Sequence, residues 1–124
     1  MPRVLIADDE DSMRTLVARA IPMDGHDTLT AQDGAEALEI LTRENGAFDL
    51  LLTDIKMPVM DGIALALAVA RDFPDLTILL MTGFADQQER AHGLNAIVHD
   101  VVTKPFSVAD IRTAVADALA AKKG

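Results

Sequence analysis

Four short apolar runs in this chain each end in side chains that can handle a cation or a phosphoryl group. Val4-Leu5-Ile6-Ala7 ends in Asp8-Asp9, Leu50-Leu51-Leu52-Thr53 in Asp54, Ile78-Leu79-Leu80-Met81 in Thr82, and Val101-Val102-Thr103 in Lys104-Pro105. A hard divalent cation such as Mg2+ takes oxygen donors, usually one or two carboxylates with waters, backbone carbonyls or phosphate oxygens. Asp9 and Asp54 can supply the carboxylates. Clustered carboxylates repel one another, and a cation among them makes the cluster tolerable. A carboxylate can also be a covalent nucleophile and become an aspartyl-phosphate. Phosphoryl transfer asks mainly for positioning and charge neutralisation, which the Lys104 ammonium and the Thr82 hydroxyl can provide.

Each part alone has a plainer reading. Asp8-Asp9-Glu10-Asp11 suits a solvated loop that favours the next helix N-terminus. Asp54 could form a turn before Met57-Pro58, Thr82-Gly83 is an ordinary strand exit, and Lys104 could be a surface cation. Four such residues at four run ends are much harder to explain separately. His26, His92 and His99 have no metal-ligand spacing and read as structural.

Short apolar runs bounded by polar residues, Gly or Pro predict buried parallel strands. The first covers residues 3–7. Ser12 is placed to cap a helix with Met13, Leu16, Val17, Ala20 and Ile21 on one face, ended by Pro22 and Gly25. Asp27 to Ala31 is a weaker strand at an edge. Asp33-Gly34 turns into a helix through Ala35, Leu38 and Leu41 that stops near Asn45-Gly46. Phe48 to Thr53 is a central strand. Asp61-Gly62 opens a helix through Ile63, Leu67 and Ala70, closed by Pro74, and Leu76 to Met81 is the next strand. A poor, charge-rich helix over 86–94 precedes a last strand from Ile97 to Val102. Val108, Ile111, Val115 and Leu119 mark the inner face of a terminal helix. The pattern is α/β, a (βα)5 flavodoxin-like three-layer sandwich whose parallel five-stranded sheet has order 2-1-3-4-5. That order makes the first and third strands neighbours and gathers Asp8, Asp9 and Asp54 at the carboxyl ends, where open α/β sheets bind ligands. The Lys104-Pro105 bond is a candidate for the cis form.

The 124 residues suit one domain, 1–124, with no second or output domain expected. Half are hydrophobic, so disorder is not expected. A net charge of -9 argues against nucleic acid and anionic membrane as partners. No apolar run approaches the roughly 20 residues a membrane span needs, and the early acidic cluster is unlike a signal peptide. Without cysteine there is no disulfide or thiolate chemistry. A cytoplasmic location fits.

With these residues in view, the chain resembles the receiver domains of bacterial two-component response regulators, of the chemotaxis-regulator type. The matching stretches are 4–10, Thr53 to Gly62 (TDIKMPVMDG), Met81-Thr82-Gly83 and Thr103-Lys104-Pro105-Phe106, in order and with the family's spacing over nearly the whole chain. The resemblance implies that Asp54 is the phosphoacceptor, that Asp9 and Asp54 ligate Mg2+ directly with the Lys56 carbonyl, and that Asp8 ligates it through water. Lys104 and Thr82 would contact the phosphoryl group. The donor would be a sensor histidine kinase or a histidine phosphotransfer protein, and the chain would catalyse only its own phosphorylation and dephosphorylation. Output would pass to another protein through the 86–94 helix, the last strand and the terminal helix, from a monomer or a phosphorylation-dependent dimer. The Leu80 to Ala85 stretch (LMTGFA) leans toward stand-alone alphaproteobacterial receivers, some of which control a cell-cycle protease. Val101 stands where many members carry an aromatic ring that turns inward with the Thr, so Phe84 is expected to take part in switching instead. Lys56 and Phe84 are expected to hinder attacking water and slow self-dephosphorylation. Two rivals fit less well. An Asp-nucleophile phosphatase usually has a second Asp where this chain has Lys56, and a flavin mononucleotide carrier would need a phosphate cradle where Asp8 to Asp11 would repel phosphate.

Overall fold

The computed structural model describes residues 2–83, 91 and 93–123. Five strands, β1 (Arg3–Ala7), β2 (Asp27–Ala31), β3 (Leu50–Asp54), β4 (Thr77–Thr82) and β5 (Asp100–Thr103), form one sheet in the order β2-β1-β3-β4-β5. Every pairing is parallel. The expected topology is therefore the observed one. Among the described residues the helices are α1 (Asp11–Ala20), α2 (Gly34–Arg43), α3 (Gly62–Asp72) and α4 (Val108–Lys123), with a 3-10 turn at Ile21–Asp24. Residues 84–90 and 92 lie outside the described residues, and with them Phe84, His92 and most of the 86–94 helix expected from sequence.

Side chains alternate across a strand, so the sheet splits its apolar residues between two cores. Leu5, Leu51, Ile78 and Leu80 pack with Ala37, Leu41, Leu65, Ala66 and Val69 of α2 and α3. Val4, Ile6, Leu50, Leu52, Leu79 and Met81 pack with Val17 and Ala20 of α1 and with Ile111, Val115 and Ala118 of α4. All of β3 is buried because both its faces are covered, and it accordingly starts with three leucines in a row before the polar Thr53 and Asp54 at the site. β2 is the edge expected of it, with Leu29 half exposed.

Several local expectations shift. Ser12 lies inside α1. Glu10 takes the cap position without its side chain accepting a backbone N–H of the helix, and instead the Ser12 hydroxyl donates to Glu10 Oε1 at 2.9 Å. Leu16 and Val108 sit near the water-facing edge of the faces assigned to them. On α3 the buried residues are Gly62, Leu65, Ala66 and Val69, and Leu67 is 52% exposed. The sequence GIALALAVA is apolar nearly all round, so periodicity cannot choose its face. The last strand begins at Asp100 because the chain through Ile97 is still turning: the N–H groups of Ile97 and Val98 both donate to the Leu94 carbonyl.

The base of the sheet is fastened by Arg3. Its guanidinium lies 4.4 Å from the Phe48 ring centroid, donates to the Ala47 carbonyl at 2.7 Å and pairs with Glu44 at 3.1 Å. At the opposite end, the segment after β3 is tightly tied. Gly62 N–H donates to the Ile55 carbonyl at 2.7 Å, and Met60 carbonyl accepts from Gly34 N–H at 3.0 Å. Within it, Met60 N–H donates back to the Pro58 carbonyl at 2.7 Å, a γ-turn centred on Val59 at φ 68°. A β-branched residue there is strained. Replacing Val59 with Gly should stabilise the protein by about 1 kcal/mol, since relief of strain of order 1–3 kcal/mol exceeds the entropic cost of Gly. Urea unfolding of the two proteins measures it.

Candidate functional site

The strand register builds the site. Ala7 pairs with Thr53, so Asp8, one residue beyond, comes alongside Asp54, while Thr82 pairs with Thr103 one residue before Lys104. Lys104 N–H donates to the Thr82 carbonyl at 2.7 Å, continuing the ladder past the strand. The ammonium of Lys104 then stands 3.2 Å from Asp54 Oδ2 and 3.5 Å from Asp8 Oδ2. Carboxylate oxygens of Asp8, Asp9 and Asp54 can lie within 4.8 Å of one another. All three carboxylates and the ammonium expected from sequence therefore meet. Thr82 is fully buried at the end of β4. Asp9, Asp54, Lys56, Gly83 and Lys104 line one open cleft with Glu10, Met13 and Pro105.

Each side chain is set by its own local structure. Asp8 is fully buried, and its Oδ1 accepts the Glu10 N–H at 3.0 Å. Asp54 Oδ1 accepts the Ile55 N–H at 2.9 Å. Ile55 and Met57 are buried, which leaves the Lys56 side chain between them directed outward. The Lys104-Pro105 bond is cis, as the sequence suggested. Just beyond it, Ser107 and Asp110 exchange side-chain to backbone hydrogen bonds at 3.0 Å, a reciprocal cap that starts α4. Val101 is half-buried and packs against the core that holds Ala91 and Val98.

Three contributors were not evident in the sequence. The Thr53 hydroxyl, buried beneath the site, donates to the Asp54 carbonyl at 2.9 Å. A Cβ on Gly62 would lie 2.0 Å from that same carbonyl oxygen, so the bare backbone of Gly62 is what lets α3 begin against the peptide of Asp54. Gly34 has the same role beside Met60, whose carbonyl a Cβ would meet at 2.4 Å. In the sequence Asp33-Gly34 reads as a turn and Asp61-Gly62 as a helix start, and neither signal shows which backbone each glycine must approach.

The donor set fits a hard divalent cation. It consists of carboxylate oxygens, and Asp8 Oδ2 is a buried atom that accepts no hydrogen bond among the described residues. Burial pushes the Asp8 carboxyl above the usual carboxylate range. The Glu10 N–H and Lys104 pull against that, and the charges of Asp54 and Asp9 add to the rise. Burial also raises Asp54, opposed chiefly by Lys104. These groups accumulate negative charge that one ammonium does not balance.

The model of the response regulator receiver domain matches residues 4–116. The chain belongs to this receiver domain family. It is 39% identical over 111 residues to the response regulator receiver protein CpdR of Brucella abortus, a match covering 90% of this chain and 91% of that protein. It is 33% identical to the transcriptional regulatory protein PrrA of Mycobacterium tuberculosis over 89% of this chain and 46% of that protein. The chain thus spans about half the length of several curated relatives it matches. Among solved structures, a receiver domain protein from Clostridium thermocellum superimposes with a TM-score of 0.89 at 25% identity, covering 99% of this chain and 98% of that one. The chemotaxis response regulator CheY4 of Vibrio cholerae gives 0.83 at 28% identity, covering 95% and 98%. Receiver domains of two-component response regulators serve phosphorylation-dependent signalling, and the acidic cluster of Asp8, Asp9 and Asp54 in this one could hold a metal ion. No helix among the described residues is long and apolar enough to cross a membrane.

A carboxyl with a raised folded pKa binds its proton in the native state before the unfolded chain does. Stability therefore rises as pH falls from neutral through that raised pKa toward the unfolded value near 3.8, and levels off below it. Asp8→Asn should accordingly be more stable than the native protein at pH 7 in metal-free buffer. The difference should shrink as pH approaches about 4, measured by urea unfolding across that range.

Proposed function

We propose that the protein is a phosphorylation switch in which Asp54 accepts a phosphoryl group from a phosphohistidine on a sensor histidine kinase or phosphotransfer protein. The observation that carries this reading is the Lys104 ammonium 3.2 Å from Asp54 within the three-carboxylate cluster. Asp9, Asp54 and the Lys56 carbonyl would hold Mg2+, with Asp8 reaching it through water. When bound, the cation would neutralise the carboxylates and the oxygens of the transferred group. An Asp54 carboxylate oxygen forms the new bond to phosphorus as the phosphorus–nitrogen bond to the donor imidazole breaks, and the imidazole leaves with the electron pair. Lys104, already paired with Asp54, would turn to the phosphoryl oxygens, and the Thr82 hydroxyl would donate to one of them.

The added charge biases whichever arrangement brings Lys104 and Thr82 onto the phosphoryl group. β5 and α4 carry Lys104 between them, so their face is the output surface in this reading, to which the sequence adds the expected 86–94 helix. The likeness over 91% of CpdR favours contact with another protein as the output, in the cytoplasm, over an activity of its own on small molecules. The exposed Lys56 side chain beside Asp54 supports a slowly hydrolysed phosphoryl group.

Incubation with acetyl phosphate and Mg2+ should add one phosphoryl group to the intact protein. Asp54→Asn or removal of Mg2+ by a chelator should prevent it, as read by mass spectrometry. Without Asp54-dependent addition from acetyl phosphate or from a phosphorylated histidine protein, the reading fails. Mg2+ at about 100 times its dissociation constant should stabilise the native protein by about 2.7 kcal/mol, measured by urea unfolding with and without the ion.

A further inference from the structure

The acidic pair at the end of β1 is held by a cation from outside the pair's own loop. Asp8 N–H is fixed by the Ala31 carbonyl at 3.1 Å, and Asp8 Oδ1 by the Glu10 N–H at 3.0 Å. The remaining backbone polar group of that residue is its carbonyl, which belongs to the peptide joining Asp8 to Asp9. Arg14 Nη1 donates to it at 2.7 Å. The other arm of the guanidinium pairs with the Asp11 carboxylate, and the side chain is only 16% exposed. Arg14 N–H donates to the Glu10 carbonyl at 2.9 Å in the first turn of α1, so backbone and side chain of one residue grip both ends of the 8–10 segment.

We propose that Arg14 is a positioning residue for the divalent-cation site, locking the Asp8–Asp9 peptide so that Asp8 stays buried while Asp9 reaches the cleft. The proposal rests on the cation site described under the functional reading. Rotation of that peptide would swing the Asp9 carboxylate away from Asp54, and among the described residues Arg14 is the group whose hydrogen bond to the Asp8 carbonyl resists it. A planar guanidinium spans the Asp8 carbonyl and the Asp11 carboxylate together, which the single ammonium of a lysine does less well.

Charge and positioning predict opposite signs. A fixed cation near a Mg2+ site repels the ion, so deleting it acts through charge alone to tighten Mg2+ binding. Loss of positioning weakens it. Arg14→Met keeps an unbranched apolar stem while removing the charge and both hydrogen bonds. Mg2+ binding by this variant, measured calorimetrically, should be about tenfold weaker than by the native protein. In metal-free protein, exchange of the Glu10 amide should be about tenfold faster when referred to the Leu52 amide in the core, reporting local loosening rather than global unfolding. Arg14→Lys, which keeps the charge, should fall between the two and serves as the second variant if Arg14→Met folds poorly. Unchanged Glu10 exchange, or Mg2+ binding that is unchanged or tighter, overturns the proposal. If the native protein binds no Mg2+, the functional reading fails instead, and Glu10 exchange alone decides the role of Arg14.

Discussion

The controlling interaction is repulsion among three carboxylates brought together at the end of a buried sheet. Asp8 and Asp54 are both taken out of water, and Lys104 is the one ammonium paired with both of them among the described residues. Everything around the cluster keeps it from relaxing. The ladder fixes the strands, the Glu10 and Ile55 N–H groups hold one oxygen of each buried carboxylate, and the glycines at 34 and 62 let backbone close in where a side chain would force it apart. The fold thus maintains a concentration of negative charge that a divalent ion or an incoming phosphoryl group with its cation can resolve. Such charge costs stability in the empty protein and provides binding energy when the site is filled.

The strands and their order were readable because a sheet covered on both faces demands continuous apolar runs, and those of β1, β3 and β4 are unbroken. The residues at their ends followed from topology, and all of Asp8, Asp9, Asp54, Thr82 and Lys104 are where that logic puts them. Helix faces were less legible. In α3 apolar residues surround the helix, so the choice between Leu67 and Leu65 is made by tertiary packing rather than by pattern. Ser12 was misplaced as a cap because Asp8, Glu10 and Arg14 use the local donors and acceptors for the site. The contributions of Thr53 and Arg14 act through backbone carbonyls, and sequence does not reveal which carbonyl a side chain will find.

Val101 bears on how a signal leaves the site. It is small, half-buried, and already packed on the core beside β4. A bulky ring at this place could move between inward and outward positions. A valine has little distance to travel, so in the proposed switch a change begun at Thr82 and Lys104 would be expressed in backbone positions around β5 rather than in one rotating side chain.

Arg3 gives the two ends of the sheet different mechanical characters. At the amino ends of the strands it joins β1 to the segment before β3 through the Phe48 ring, the Ala47 carbonyl and Glu44, and it approaches Asp27 of β2. That end is riveted across three neighbouring strands, far from any charge that changes on phosphorylation. A disturbance at the carboxyl ends therefore works against a fixed footing. In the proposed switch its displacement would be taken up at the rim where the cleft opens rather than spread through the whole sheet.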